Sequence, residues 1–129
     1  MPVTYAFDGR IVVLRLSGEY STGDLRTAID QSLTDRGRPE LTGMLFDLSE
    51  STAIEERDAA DVEGMARFLA NRGPRFGRRL AMVAPTDLSY GLMRMGGVTA
   101  QAQGVEAAVF RDVASARVWL DADDGKRPG

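Results

Sequence analysis

The stretch that most constrains the fold is residues 43–69, where a short apolar run, an acidic loop and an amphipathic segment follow one another. The run Met44-Leu45-Phe46 has the composition of a buried strand, and it ends at the polar segment Asp47-Leu48-Ser49. Apolar residues then recur at helical spacing; they are Ala59, Val62, Met65, Ala66 and Leu69. The stretch predicts a strand, a loop and a helix, with polar groups at the edge where open α/β sheets meet ligands and partners.

An antiparallel hairpin is predicted before this stretch. Residues 3–7 and 11–16 are rich in β-forming side chains, and the dipeptide Asp8-Gly9 lies between them. Such a dipeptide favours a tight turn because both central positions need positive φ. We therefore expect two strands joined at Asp8-Gly9, with the first strand at an edge of the sheet.

Helices and strands alternate along the rest of the chain. Ser21 is suited to cap a first helix that fails by residues 37–39, because Pro39 disfavours helical geometry before it. Thr52 and Glu55 match the capping pattern of a second helix, which runs to Asn71. Residues 79–84 and 105–110 have the composition of buried strands. Asp112 is suited to cap a fourth helix.

The predicted third helix begins at Thr86 or Asp87. Its apolar spacing predicts an inward face, which consists of Leu88, Leu92, Met95 and Ala102. The pair Gly96-Gly97 lies inside this helix and is costly there, at roughly 1 kcal/mol per glycine relative to alanine. The pair therefore implies a kink, an early stop or a close backbone approach.

The predicted order of elements is β-β-α-β-α-β-α-β-α. Strands that alternate with helices favour right-handed crossovers and a mostly parallel sheet. We expect a single α/β domain over residues 1–120, with about five strands covered by four helices, and a disordered polar tail over residues 121–129.

Composition excludes several kinds of site. The 129 residues include no cysteine and no histidine, which rules out a Ser-His-Asp triad, thiol nucleophiles and zinc sites of the usual kind. We expect no cofactor. The net charge of −3 argues against nucleic acid as a partner. No apolar run approaches the roughly 20 residues of a membrane-spanning helix, and no signal peptide is evident, so a cytoplasmic location is expected.

The order of elements, with Asp47-Leu48-Ser49 ending the middle strand, resembles the STAS superfamily (sulfate transporter and anti-sigma factor antagonist domains). The second half is similar to the SpoIIAA-like, or STAS/SEC14-type, branch of small bacterial proteins. The segments that carry this resemblance are 79–84, 88–92, 109–112, Ala116 and Trp119-Leu120. The resemblance covers roughly residues 3–120 and implies a STAS-like fold.

The resemblance also implies a mode of action. In regulatory STAS proteins an I-D-S-S-G segment opens the next helix, and a partner kinase phosphorylates its second serine. That segment falls here on Ile54-Glu55-Glu56-Arg57-Asp58, with Arg57 at the position of the phosphoserine. The chain therefore lacks that switch at the family position. What the resemblance still implies is a non-catalytic module that binds another protein or a small ligand.

The candidate partner-binding surface follows the middle strand. It consists of Ser49, Glu50, Ser51, Thr52, Glu55, Glu56, Arg57 and Asp58. Together with Asp61 and Glu63, its acidic residues form the densest acidic cluster of the sequence. This cluster is interpreted as a solvated first turn favoured by the helix dipole, or as a patch for a basic partner; a metal site is the alternative, although the calcium-loop pattern is missing.

Two further surfaces are weaker candidates. The first is a basic cluster that consists of Arg72, Arg75, Arg78 and Arg79. Arginine is suited to binding phosphate, so the cluster could bind an anion. The alternative is that these cations lie there because the helix dipole favours positive charge at a helix C-terminus. A patch for self-association or a ligand is predicted on the third helix, with ordinary packing of the tyrosine as the alternative; it consists of Tyr90, Met93, Arg94 and Gly97.

The sequence thus predicts a non-catalytic, regulatory, cytoplasmic module that binds another protein, with homodimerisation plausible. Nucleic-acid binding and stable membrane insertion are not expected. The alternative is a carrier or sensor of a small apolar or amphipathic ligand, which requires a cavity of roughly several hundred Å³. An enzyme that uses carboxylate chemistry is the third hypothesis.

Overall fold

The computed structural model describes residues 3–51 and 58–124. Within these residues the strands are β1 (Val3–Asp8), β2 (Ile11–Gly18), β3 (Gly43–Ser51), β4 (Arg79–Val83) and β5 (Glu106–Phe110). The helices are α1 (Thr22–Thr34), α2 (Ala59–Ala70), α3 (Asp87–Ala102) and α4 (Val113–Asp124), with a short 3₁₀ helix at Gly73–Phe76. The predicted order of elements is confirmed.

The strands form one sheet in the order β1-β2-β3-β4-β5, with β1 at an edge. Strands β1 and β2 are antiparallel, and the other neighbours are parallel, as predicted. The turn of the hairpin differs from the prediction. Asp8 pairs with Ile11, so the central turn residues are Gly9 and Arg10. Gly9 has φ +62°, and the glycine therefore supplies the positive φ at the first turn position.

Strand β3 is longer than its neighbour β4 at the carboxyl edge of the sheet. The last residue pair between them is Asp47 with Val83. Strand β3 continues to Ser51 along β2 alone, with Gly18 opposite Ser51 after an irregularity in the register of β2. Residues 48–51 therefore project past β4, and we call them the β3 overhang.

Helices cover both faces of the sheet to different extents. The larger core lies between the sheet and α1, α2 and α3, and it contains Met44 and Phe46 of β3. The smaller core lies under α4, where Leu45 and Ala81 pack against Ala116. The interior strands β3 and β4 are thus apolar on both faces, as expected for parallel strands that helices cover.

The ends of the helices show which polar residues act as caps. Ser21 and Asp24 form the reciprocal capping box of α1. The described part of α2 begins at Ala59, where the Asp58 carboxylate accepts the N–H of Asp61 at 2.8 Å. The predicted Thr52–Glu55 cap lies outside the described residues. Helix α4 reaches Asp124, so the first residues of the predicted tail are helical.

Helix α3 presents a different face to the core from the one predicted. Its buried residues are Ser89, Met93, Gly96, Gly97 and Ala100. Leu88 and Met95, which were predicted to point inward, are exposed instead. The glycines explain the orientation, because a Cβ added to Gly96 would lie 2.9 Å from Cγ1 of Val62. Helix α3 continues past the pair without ending, so the two glycines serve a close approach between α2 and α3.

Two alanine substitutions in α3 separate this close approach from helix propensity. Gly96→Ala is expected to lose stability, since overpacking costs about 1–3 kcal/mol and Val62 is stiff. Gly91→Ala is the matched control, because a Cβ there meets nothing within 4 Å and should gain up to about 1 kcal/mol. Urea unfolding of both variants measures the difference. Equal stabilities of the two variants would show that α2 and α3 can move apart freely to accommodate the added methyl group.

A hydrogen bond ties β1 to the end of α1. The hydroxyl of Tyr5 donates to the Asp35 carboxylate at 2.7 Å, and the N–H of Gly37 donates to the same carboxylate at 2.8 Å. The hydrogen bond from Tyr5, followed by that from Gly37, lowers the pKa of Asp35 below its ordinary value of 3.8. The same bond raises the pKa of Tyr5 above its ordinary value of 10.0, with smaller contributions from burial and from the negative charge of Asp35.

Tyr5→Phe should therefore change stability in a pH-dependent way. The carboxylate's stabilising effect is present above pH 3.8 and is lost as pH falls through the lowered pKa of Asp35. The hydroxyl's effect is present below pH 10.0 and is lost as pH rises through the raised pKa of Tyr5. The stability difference between wild type and variant should thus be largest near neutral pH and shrink at both extremes. Urea midpoints across pH measure it, and a pH-independent difference would contradict this account.

Candidate functional site

The carboxyl ends of the parallel strands meet at one edge of the sheet, where the strand β3 ends in polar residues. One carboxylate oxygen of Asp47 accepts both the N–H of Ser49, at 3.0 Å, and its hydroxyl, at 2.5 Å. The other oxygen lies 3.9 Å from Arg15 of β2. The predicted Asp-Leu-Ser strand end thus lies inside β3, where Asp47 is hydrogen-bonded to Ser49 of the β3 overhang.

The described half of the predicted partner-binding surface begins on this overhang. Ser49 and Glu50 are exposed, whereas the hydroxyl oxygen of Ser51 is buried and has no hydrogen-bond partner among the described residues. Asp58 is occupied as the cap of α2. The remaining predicted residues lie outside the described part of the chain; they are Thr52, Glu55, Glu56 and Arg57. Of this surface the structure thus describes Ser49 and Glu50 as exposed, with the Ser51 hydroxyl turned inward.

An apolar cavity of about 60 Å³ lies between the sheet and the helices α1, α2 and α3. Its wall includes Leu16 and Phe46 of the sheet, Val62 of α2, and Met93 and Gly96 of α3. The polar residues Thr22 and Asp61 also line it. Ligand pockets usually measure about 300–1,000 Å³, so this cavity has room for only a small apolar group.

Each acidic residue of the cluster within residues 58–63 has a separate local role. Asp58 caps α2, and Glu63 lies 3.7 Å from Arg67 one helical turn later. Asp61 lies in the first turn of α2, where the helix dipole favours a negative charge. Within residues 3–51 and 58–124, no three acidic side chains lie close enough together to hold a metal ion.

The four arginines predicted as an anion site do not form one surface. Arg79 is only 1% exposed; its guanidinium donates to the carbonyls of Trp119 and Leu120 and stacks 3.9 Å from the centroid of the Trp119 ring. It also donates to the Glu106 carboxylate at 3.3 Å. Arg79 therefore holds α4 against the sheet and is not available to an anion at the surface.

The other three arginines lie in different environments. Arg72 binds the Asp30 carboxylate through two nitrogens and stacks 3.5 Å from the centroid of the Phe68 ring. Arg75 and Arg78 are exposed, and Arg78 has φ +57°, an uncommon value for a residue with a side chain. Arg75 and Arg78 are thus the exposed members of the predicted cluster, whereas Arg72 is half-buried.

Replacing the buried arginine should destabilise the fold. We expect Arg79→Leu to lose about 2–4 kcal/mol, because buried carbonyl oxygens lose their donor and the Trp119 ring loses its cation. Arg75→Leu is the control, since an exposed substitution usually changes stability by less than about 0.5 kcal/mol. Chemical unfolding measures both variants, and equal stabilities would contradict the assigned role of Arg79.

The four residues of the predicted self-association or ligand patch on α3 also differ in their burial. Met93 and Gly97 are buried, and Gly97 faces Cε of Met82, 3.6 Å from where its Cβ would lie. Tyr90 is half-buried beneath the guanidinium of Arg111, at 4.3 Å from the ring centroid. Of the four predicted residues only Arg94 is exposed, so the four do not share one exposed surface. Met93 lines the apolar cavity instead, because the buried side of α3 differs from the predicted one.

Sequence reasoning missed two features that the structure reveals. The cavity walls come from α1, α2 and three strands as well as α3, a combination that no local spacing indicates. Leu88 and Met95, which are exposed on α3, were assigned to the core. The signal for the second feature was present, because α3 is apolar on two sides and only the side with paired glycines permits close contact with α2.

No helix in the described part of the chain is both long and apolar enough to cross a membrane. No protein-family profile matches the chain, and no curated protein matches it. Among solved structures, the chain is similar to an uncharacterized protein of the DUF3478 family, with a SpoIIAA-like fold, from Shewanella loihica PV-4. The two are 19% identical, with a TM-score of 0.56 over 92% of this chain and 91% of that chain. At this identity the similarity concerns the fold.

Proposed function

We propose that this chain, which has a SpoIIAA-like α/β fold, is a non-catalytic regulatory module that binds another protein at the carboxyl edge of its sheet. The observation that carries the proposal is the β3 overhang. Beyond Asp47 the strand has β2 on one side and no paired strand among the described residues on the other. A strand edge that lacks a paired strand among the described residues suits an extended segment of a partner, as in recognition by strand addition.

The side chains of the overhang suggest the chemistry of that partner. Glu50 is exposed and bears a negative charge, and Asp61 is exposed at the start of α2. The whole chain carries a net charge of −3. Complementary charge increases the rate of encounter and the specificity of binding, so a basic extended segment suits this edge.

The ionisable groups with shifted pKa values support a non-catalytic role. Hydrogen bonds that join or cap structural elements account for all three shifts found among the described residues. Tyr5 and Asp35 share one such bond, and the pKa of Asp112 is lowered by hydrogen bonds from the backbone and side chain of Ser115 at the start of α4. Each of these hydrogen bonds joins or caps structural elements. We place the module in the cytoplasm.

Native mass spectrometry of the protein purified gently from its own cells tests the proposal. We expect a complex that is heavier by the mass of a second protein. Glu50→Lys should reduce that complex at least about tenfold, because the substitution reverses the charge on the overhang. Glu40→Lys is the matched control, since this glutamate is exposed just before β3 begins, at the opposite edge. Equal retention of the partner by both variants would exclude the overhang as the binding surface.

A second candidate function is the binding of a small apolar ligand, and the observation that favours it is the cavity between α1, α2 and α3. At about 60 Å³ the cavity is smaller than a carrier requires, so a larger ligand would have to separate α2 from α3. In the same experiment, an added mass of a few hundred daltons that survives Glu50→Lys would support this function instead.

A further inference from the structure

We propose that the amino edge of the sheet, where β3, β4 and β5 begin, binds an acidic segment of a protein partner. The surface is formed by two loops, residues 35–42 between α1 and β3 and residues 71–78 between α2 and β4. Together these loops contain five arginines and two acidic residues, whereas the whole chain has a net charge of −3. Positive charge is therefore concentrated at this edge of an otherwise acidic protein.

Two contacts hold the loops side by side. At one end, Arg72 donates through two nitrogens to the carboxylate of Asp30, near the end of α1. At the other end, Gly77 packs on the backbone of Thr42, since a Cβ added to Gly77 would lie 2.8 Å from the Thr42 Cα. The exposed arginines of the two loops, which we call the basic rim, are Arg36, Arg38, Arg75 and Arg78.

No acidic side chain in the part of the chain that the structure describes pairs with the basic rim. The acidic side chains of the same loops are engaged elsewhere. Glu40 lies 3.5 Å from Arg10, and the Asp35 carboxylate accepts the hydroxyl of Tyr5. The four guanidinium groups of the rim can therefore pair with anions from outside the chain.

The helix dipole does not account for the basic rim. A helix C-terminus favours cations within its last turn, yet α1 has no basic residue in its last turn. Arg36 and Arg38 follow the end of α1, and Arg75 and Arg78 lie at least five residues beyond the end of α2. Their positions therefore call for a different explanation, which an external anion supplies.

The backbone of both loops is fixed by hydrogen bonds. The N–H of Arg38 donates to the carbonyl of Asp35 at 3.2 Å, and the N–H of Arg78 donates to the carbonyl of Gly73 at 2.9 Å. Arg78 also has φ +57°, and such strain is concentrated at functional sites. Because the loops are already ordered, binding at the rim loses little backbone entropy.

A groove of about 460 Å³ lies beside Arg78 at the amino edge. The other residues of its wall are Pro74, Gly77, Gly104 and Glu106. The carboxylate of Glu106 lies 3.3 Å from buried Arg79, so its negative charge is offset. The two glycines allow the backbone of an extended segment to approach closely. The volume lies within the usual range of ligand sites and suits a few residues of a partner.

The composition of the loops favours an acidic protein segment over other anions. Leu41 and Phe76 are buried, so neither loop exposes an aromatic ring for a base to stack on or a large apolar side chain to insert into a membrane. The net charge of −3 repels nucleic acid and anionic membranes at long range. A short acidic segment instead acts within a Debye length, which is about 10 Å at 0.1 M salt.

Fluorescence anisotropy with labelled hexaglutamate tests the proposal, and hexaglutamine serves as the uncharged control peptide. Hexaglutamate should bind wild type at protein concentrations up to about 1 mM, whereas hexaglutamine should not. The affinity should fall at least about tenfold between about 50 mM and about 300 mM salt, because salt screens exposed charges. Absence of hexaglutamate binding, or equal binding of both peptides, would overturn the proposal.

Neutral substitutions in each loop locate the site. Arg75→Gln with Arg78→Gln should weaken hexaglutamate binding about fivefold, and Arg36→Gln with Arg38→Gln should do the same, since each pair of changes removes two charge pairs. Arg94→Glu is the matched control: it lowers the net charge by the same two units, and Arg94 is exposed on α3. It should weaken binding less than about twofold, and equal weakening by all three variants would overturn the proposal.

Two further probes test the class of partner. Hexathymidylate represents nucleic acid, and vesicles of equal parts phosphatidylcholine and phosphatidylserine represent an anionic membrane. Both should bind more weakly than hexaglutamate, and tighter binding of either would overturn the assignment to an acidic protein segment. This inference does not depend on the proposed partner at the β3 overhang, and either can fail without the other.

Discussion

The close contact of α2 with α3 determines which side of α3 is buried, which residue of α3 lines the cavity and which residues of α3 are exposed. Gly96 brings the backbone of α3 against Val62, and this contact fixes which side of α3 faces the core. Met93 is thereby turned toward the sheet, where it forms part of the cavity wall. Met95 and Val98 are turned outward. Helix α3 is apolar on two sides, so either side could face the core. The side with the smaller residues is buried because it permits the closer packing against α2.

The sequence predicted the arrangement of strands and helices because each element has a local cause. Alternating segments define the parallel sheet, and Ser21 and Asp112 cap helices where short polar side chains were found before apolar runs. The site was less predictable. The orientation of α3 depends on the shape of α2, and the burial of Arg79 depends on carbonyl groups about 40 residues away. Such long-range contacts leave no periodic signal in the chain.

The binding surface that we propose at the carboxyl edge depends on this architecture. The β3 overhang carries an exposed carboxylate and has no strand paired on its β4 side among the described residues, so it favours a partner with a complementary backbone edge and positive charge.

The buried position of Arg79 has a consequence for the behaviour of the protein in a crowded solution. Helix α4 is the cover that the structure shows over Leu45, Ala81 and Val83, which form an apolar area on one face of the sheet. Local opening of one helix is a common motion of native proteins, and exposed sheet surfaces readily associate. By binding the carbonyls of Trp119 and Leu120, Arg79 keeps that cover closed. We therefore expect the contacts of this one internal cation to limit aggregation as well as unfolding.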